Sequence, residues 1–179
     1  MFNQELISSS IATENDIPEL VALINSAYRG DSSRKGWTTE ADILEGIRID
    51  GDGVREILAD PNADLHLFFY PGEGLVSCVY LKEQTDHLYL GMLTVRPNLQ
   101  AGGMGKYMLH YAENLAVQKG KSSIKMTVIN IRTELIAWYN RHGYLPTGET
   151  EPWVDGEHIG DRKADIEFLV LSKKMSSRM

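Results

Sequence analysis

The sequence predicts a single α+β domain, spanning residues 1–179, built around a mixed sheet. Three observations lead there. The apolar runs 65–70 and 75–81 flank Pro71-Gly72-Glu73-Gly74, a turn that folds them into an antiparallel hairpin. A helix-period stretch beginning at Met104 separates the apolar runs 87–95 and 124–129, and an intervening helix returns the second strand parallel to the first. Helical patterns also cluster between the first strand and the hairpin, so helices and strands do not alternate strictly. With 42% hydrophobic residues in 179, one sizeable core can be buried, and no composition break marks a second domain.

The elements follow in order. Leu6 to Ala12 reads as a short strand, and Thr13-Glu14-Asn15-Asp16 caps a helix with Pro18 in its first turn. Ile17, Leu20, Val21, Ile24, Ala27 and Tyr28 lie on one face of that helix, which ends near Gly30. Asp31 to Thr39 is polar and loop-like apart from Trp37. A cap at Thr38 or Thr39 predicts a second helix through Ala41, Ile43, Leu44 and Ile47, and Val54, Ile57 and Leu58 predict a further short one. After the hairpin and the 87–95 strand, Met104, Met108, Tyr111, Ala112, Leu115 and Ala116 form a core-facing helical stripe that stops at Gly120. The strand 124–129 precedes a helix on which Leu135, Trp138, Tyr139 and His142 share a face, with Gly143 as its C-terminal cap. Trp153 begins a polar loop, and Glu167 to Leu171 is the last strand.

Several function classes drop out. A net charge of -7 argues against nucleic acid as partner, because phosphate binding needs clustered Lys and Arg. No apolar run is long enough to span a bilayer, and Met1-Phe2-Asn3-Gln4-Glu5 lacks a secretory pattern, so no membrane association and a cytoplasmic location are expected. Cys78 is the single cysteine and sits in an apolar strand, which predicts an inert core thiol, no disulfide and no metal site.

The stretch with chemical content is Leu93-Thr94-Val95-Arg96-Pro97-Asn98-Leu99-Gln100-Ala101-Gly102-Gly103-Met104-Gly105-Lys106. It is a strand end, a bare loop and a helix start. The first amides of a helix lack internal partners and carry the positive end of its dipole, so a phosphate fits there, with Lys106 able to add an ammonium. Glycines alone would equally make a tight turn. The spacing Gln-x-x-Gly-x-Gly after Val95-Arg96-Pro97 is neither the dinucleotide fingerprint nor the Gly-Lys-Ser/Thr phosphate loop. It resembles the acyl-CoA signature of the GCN5-related N-acetyltransferases. The chain departs from that signature at Ala101, where the family often carries Arg.

A second segment resembles the same family: a polar residue after the 124–129 strand, then a short helix reading Tyr139-Asn140-Arg141-His142-Gly143-Tyr144. On periodicity alone Tyr139 is a core aromatic with its hydroxyl at the edge. The resemblance implies a twisted mixed sheet of six or seven strands, splayed between its parallel pair, and acetyl-CoA as acyl donor. It implies cofactor contacts from Leu93, Thr94, Val95, Gln100, Ala101, Gly102, Gly103, Met104, Gly105 and Lys106, with either Asn130 or Arg132 on the pantetheine arm. It makes Tyr139 the candidate acid beside the sulfur, and a backbone amide near Met92 to Val95 the candidate oxyanion donor. The segment between the first two strands would roof the acceptor site. Tyr28 and Trp37 are then candidate substrate contacts, Trp37 equally being an anchor for its loop.

The implied activity is transfer of an acetyl group from acetyl-CoA to an amine of a small molecule or protein, by direct attack in a ternary complex. The alternative is a non-catalytic acyl-CoA-binding module. Candidate bases are Glu83, Asp86, His87, Glu149 and Glu151, with Thr127 standing where some relatives carry Glu. Exposed sheet edges leave room for a homodimer.

Overall fold

The computed structural model describes residues 1–154 and 161–176. The elements run β1 (Ser8–Ile11), α1 (Ile17–Tyr28), α2 (Gly30–Ser33), α3 (Gly51–Ala59), β2 (Ala63–Tyr70), β3 (Gly74–Glu83), β4 (His87–Val95), α4 (Met104–Gln118), β5 (Ser123–Ile129), α5 (Thr133–Arg141), β6 (Leu145–Pro152) and β7 (Glu167–Lys174). The strands form one sheet in the order β1-β2-β3-β4-β5-β7-β6. All neighbours are antiparallel except β4 and β5.

That exception shapes the molecule. Strands β4 and β5 pair only at His87 with Ser123, Leu88 with Ile124 and Tyr89 with Lys125. Beyond those pairs β4 stays on β3 as far as Val95, and β5 stays on β7 as far as Ile129. The sheet therefore opens as a wedge toward the carboxyl ends of its parallel pair, where ligands bind in open α/β sheets.

Side-chain alternation along the strands divides the core between the two faces. Leu65, Leu67, Leu75 and Cys78 pack with Leu20, Ile24 and Ala27 of α1 and Val54 of α3. Val76, Val79, Leu88, Leu90 and Ile124 face Met104, Met108, Leu109, Ala112 and Ala116 of α4. Each fully buried leucine of this kind contributes roughly 1.5–3 kcal/mol. Cys78 is fully buried, and burial pushes its thiol up to about 12, the state of a packing residue. Thr13 and Asp16 close a capping box ahead of α1, with Thr13 N–H donating to Asp16 Oδ2 at 2.7 Å.

Two expectations need correction, and one strand was not foreseen. Residues 39–50 are not a helix. The Ile43 and Leu44 amides both donate to the Glu40 carbonyl in one turn, and the chain then runs out to pair with 161–163 through Glu45 N to Asp161 O, Lys163 N to Ile43 O and the Leu44–Arg162 bridge. Arg29 also takes the Ile47 carbonyl at 3.0 Å, so distant partners satisfy the backbone that a helix would have satisfied locally. Asp31 to Ser33, expected as loop, belong to the short α2 that begins at Gly30. Finally, β6 is a strand that sequence patterning hides: it lies at the sheet edge, all eight of its residues are exposed, and Pro146, Gly148 and Pro152 mask any alternation. Trp153 follows it and stacks on Phe168 at 5.7 Å. Most of the polar loop expected after Trp153 lies outside the described residues. Among the described residues, no helix is long and apolar enough to cross a membrane.

Candidate active site

Two cavities flank the wedge and share Tyr28, Leu93, Leu135 and Tyr139 as lining. The smaller, about 240 Å³, is bounded by the glycine loop and the first turn of α4. The larger, about 850 Å³, is bounded by β4, β5, residues 40–49 and the end of β6.

The loop is a cradle of free amides. Ala101 and Gly103 hold left-handed conformations, with φ of 66° and 91°, and this turns the chain sharply into α4. Among the described residues, no backbone N–H from Ala101 to Lys106 has an acceptor. Six donors at a helix N-terminus, with Lys106 on the same cavity wall, are an arrangement suited to an anion. Gly105 allows close packing, since a Cβ there would lie 3.3 Å from the Trp138 ring. Gly102 is covered instead by Phe2, whose N–H donates to the Gly102 carbonyl at 3.2 Å. Gln100 lines the smaller cavity and also ties the loop to its neighbours: its carbonyl oxygen accepts from Trp37 N–H at 2.8 Å, and its amide nitrogen donates to Thr38 Oγ1 and the Val95 carbonyl at 2.8 and 3.1 Å.

Strand β4 bulges at the wedge. Thr94 stands opposite Cys78 and Gly91 opposite Tyr80, so β4 spends an extra residue there, and Met92 has φ of 43°. The buried Thr94 hydroxyl donates to the Met92 carbonyl at 2.9 Å, and Tyr28 Oη donates to the Leu93 carbonyl at 2.6 Å. Burial pushes the Tyr28 phenol up to about 12. Val95 lies just beyond, in the wall of the smaller cavity.

Tyr139 stands at the junction of the cavities, 6% exposed, in van der Waals surroundings that include Trp138 at 5.0 Å and Tyr144 at 6.2 Å between ring centroids. Its hydroxyl has no hydrogen-bond partner among the described residues. Burial, with a smaller push from Tyr28, raises its pKa well above the ordinary tyrosine value, so it remains a protonated donor across the accessible pH range.

Asn130 and Arg132 are separated by the fold. Asn130 ties β5 to β7: its Oδ1 accepts from Glu167 N–H at 3.3 Å, and it lines neither cavity. Arg132 lines the larger cavity but donates to Glu40 Oε1 at 3.0 Å and to the Thr38 carbonyl at 2.6 Å. Glu40 Oε2 in turn accepts from Arg29 Nε and Nη2, both at 3.3 Å, completing a buried Arg–Glu–Arg triad. Trp37 lines the smaller cavity, tilted against Trp138 at 5.9 Å, whereas Tyr28 faces both cavities.

Sequence reasoning missed Arg29, Glu40 and Arg48, which wall the larger cavity. No local pattern announces them, because the triad joins positions 92 residues apart. Of the candidate bases, Glu83 pairs with Lys119 and Lys121, and Asp86 with His87 at 2.7 Å, at the amino end of β4 away from the wedge. Glu151 is the one of the five in the larger cavity, and Thr127 there shares a 2.9 Å hydrogen bond with Tyr89.

Comparison with known proteins agrees with this geometry. The Acetyltransferase (GNAT) family model matches residues 18–144. No curated protein sequence matches the chain. Among solved structures, the ribosomal-protein-S18-alanine N-acetyltransferase from Escherichia coli superposes with a TM-score of 0.70 at 11% identity, covering 97% of this chain and 96% of that one. Nourseothricin acetyltransferase gives 0.67 at 16% identity, with coverage of 96% and 99%. A GNAT acetyltransferase from Elizabethkingia anophelis with acetyl-CoA bound gives 0.63 at 16%, with coverage of 96% and 99%. At these identities the likeness is one of fold.

Proposed function

The chain belongs to the GNAT acetyltransferase family, and from that premise we propose that it transfers the acetyl group of acetyl-CoA to an amine, with direct attack in a ternary complex. The observation that carries the reading is that a phosphate-suited cavity and an acceptor-sized one meet at four shared lining residues, one of them Tyr139, whose hydroxyl has no partner among the described residues. The residues fit the cosubstrate: six free amides and Lys106 suit its pyrophosphate. Acetyl-CoA supplies the acetyl group as a thioester.

The chain's own contributions follow from the geometry. The glycine loop holds the phosphates and Trp37 with Trp138 walls the narrow cavity beside them. Tyr139 Oη donates a hydrogen bond to the departing sulfur. It does so without full transfer of the proton, because even ordinary values near 10 for tyrosine and 8.5 for a thiol make that step uphill by about 2 kcal/mol. Its raised pKa steepens the climb. Met92 to Leu93, bent by the bulge, presents strand backbone to the carbonyl oxygen. An alkylamine near pKa 10.4 costs about 4–5 kcal/mol to deprotonate at pH 7, so a base has value, and Glu151 at the cavity rim is the candidate.

Thermal unfolding with acetyl-CoA, with NADH and ATP as controls, tests the reading. A specific ligand at about 100 times its dissociation constant adds about 2.7 kcal/mol of stability. A rise with acetyl-CoA alone is expected; no rise, or an equal rise with all three, overturns the proposal.

A further inference from the structure

Resting on that reading, we infer that the acceptor is an amine carrying its own carboxylate, an amino acid in the broad sense, and that Arg48 is the residue that recognises the carboxylate. Among the described residues, the larger cavity is walled by three arginines, Arg29, Arg48 and Arg132, against two glutamates, Glu40 and Glu151, although the whole chain is strongly acidic. A positive wall in a negative protein selects for an anionic group on the substrate.

The three arginines are not equivalent. Arg29 is buried and Arg132 largely so; they share Glu40, and both also donate to backbone carbonyls, so they form the wall itself. Arg48 is half-buried and lines the same cavity, yet its guanidinium has no hydrogen-bond or ion-pair partner among the described residues. Its backbone, in contrast, is held firmly. Asn25 of α1 accepts from the Arg48 and Ile49 amides at 2.6 and 3.2 Å and donates to the Ile49 carbonyl at 2.8 Å. Arg29 meanwhile fixes the Ile47 carbonyl immediately upstream. The fold thus presents a guanidinium on a fixed stem with its donor fork unsatisfied, the arrangement suited to a bidentate carboxylate.

The same wall disfavours a polyamine. Both oxygens of Glu40 are taken by the triad, which leaves Glu151, among the described residues, as the cavity's one carboxylate outside the triad to meet a second ammonium. The amine end of the acceptor is placed toward Tyr139 and Leu93, where the two cavities meet.

The test is acetyl transfer from acetyl-CoA to a panel of α-, β- and γ-amino acids, their carboxamides and spermidine, by the wild type and by Arg48→Gln. The inference expects at least one amino acid to be used at least tenfold better in kcat/KM than its carboxamide. It expects Arg48→Gln to erase that preference through KM, with kcat and the acetyl-CoA thermal shift retained. Equal use of acid and amide, preference for spermidine, a preference that survives in Arg48→Gln, or no turnover of any amino acid by a chain that acetyl-CoA stabilises would each overturn it and leave the cofactor reading standing. Absence of an acetyl-CoA shift would instead remove the reading beneath it.

Discussion

The glycine loop and the roof formed by residues 29–49 bound adjoining cavities, yet they are built on opposite principles. The loop works with backbone: unpaired amides, two left-handed residues and a helix end, all within a few positions of one another. The roof works with side chains drawn from far apart, Arg29 and Glu40 meeting Arg132 across the wedge, with Gln100 stitching Trp37 and Thr38 to β4. A site made of backbone depends on local conformation and tolerates changes in neighbouring side chains. A site made of buried charge depends on every partner being present at once.

The sharpest test of that contrast is Glu40→Ala, which leaves two buried guanidinium groups without their carboxylate. Loss of about 3–5 kcal/mol in urea unfolding is expected. A change below about 1 kcal/mol, the scale of a surface pair, would show that the roof does not depend on its triad. Next, Tyr139→Phe should lower turnover roughly 100-fold, the low end for a positioned proton donor, while acetyl-CoA binding by calorimetry holds its strength. Equal losses in both would move Tyr139 from the chemistry to the scaffold.

Within the loop, Gly103→Ala forces a Cβ into the left-handed region at φ of 91° with nothing nearby to clash, so the cost is conformational alone, about 1–2 kcal/mol. Weaker acetyl-CoA binding should accompany it if the amides must point as they do. The smallest effect runs the other way. Ala101 already occupies that region at φ of 66°, and Ala101→Gly should raise stability by about 0.5–1 kcal/mol, read from the unfolding midpoint.

The same contrast explains what could be read from sequence. The loop, the strand before it and the helix after it were legible because their signals are local: apolar alternation, glycines, a helical stripe. The helix that carries Tyr139 was legible because Gly143, with φ of 88°, follows its C-terminal cap. The roof was not, since the apolar spacing of Ala41, Ile43, Leu44 and Ile47 mimics a helix while its backbone bonds go to residues 161–163 and to Arg29. Strand β6 escaped for a related reason: a wholly exposed edge strand has no buried face to imprint a period of two. Trp37 stands out in its polar segment as a lone aromatic, and only three-dimensional packing against Trp138 assigns it to the narrow cavity.

The wedge has one more consequence. A sheet that parts in its middle owns four edges, two at its margins on β1 and β6 and two facing each other inside. Outer edges are hazards that invite pairing with foreign strands. The inner pair is lined by α5, the roof and the Tyr28 phenol that already occupies one carbonyl of β4. The same unmade hydrogen bonds that would endanger a β-protein at its rim lie, here, inside the fold and line its two cavities.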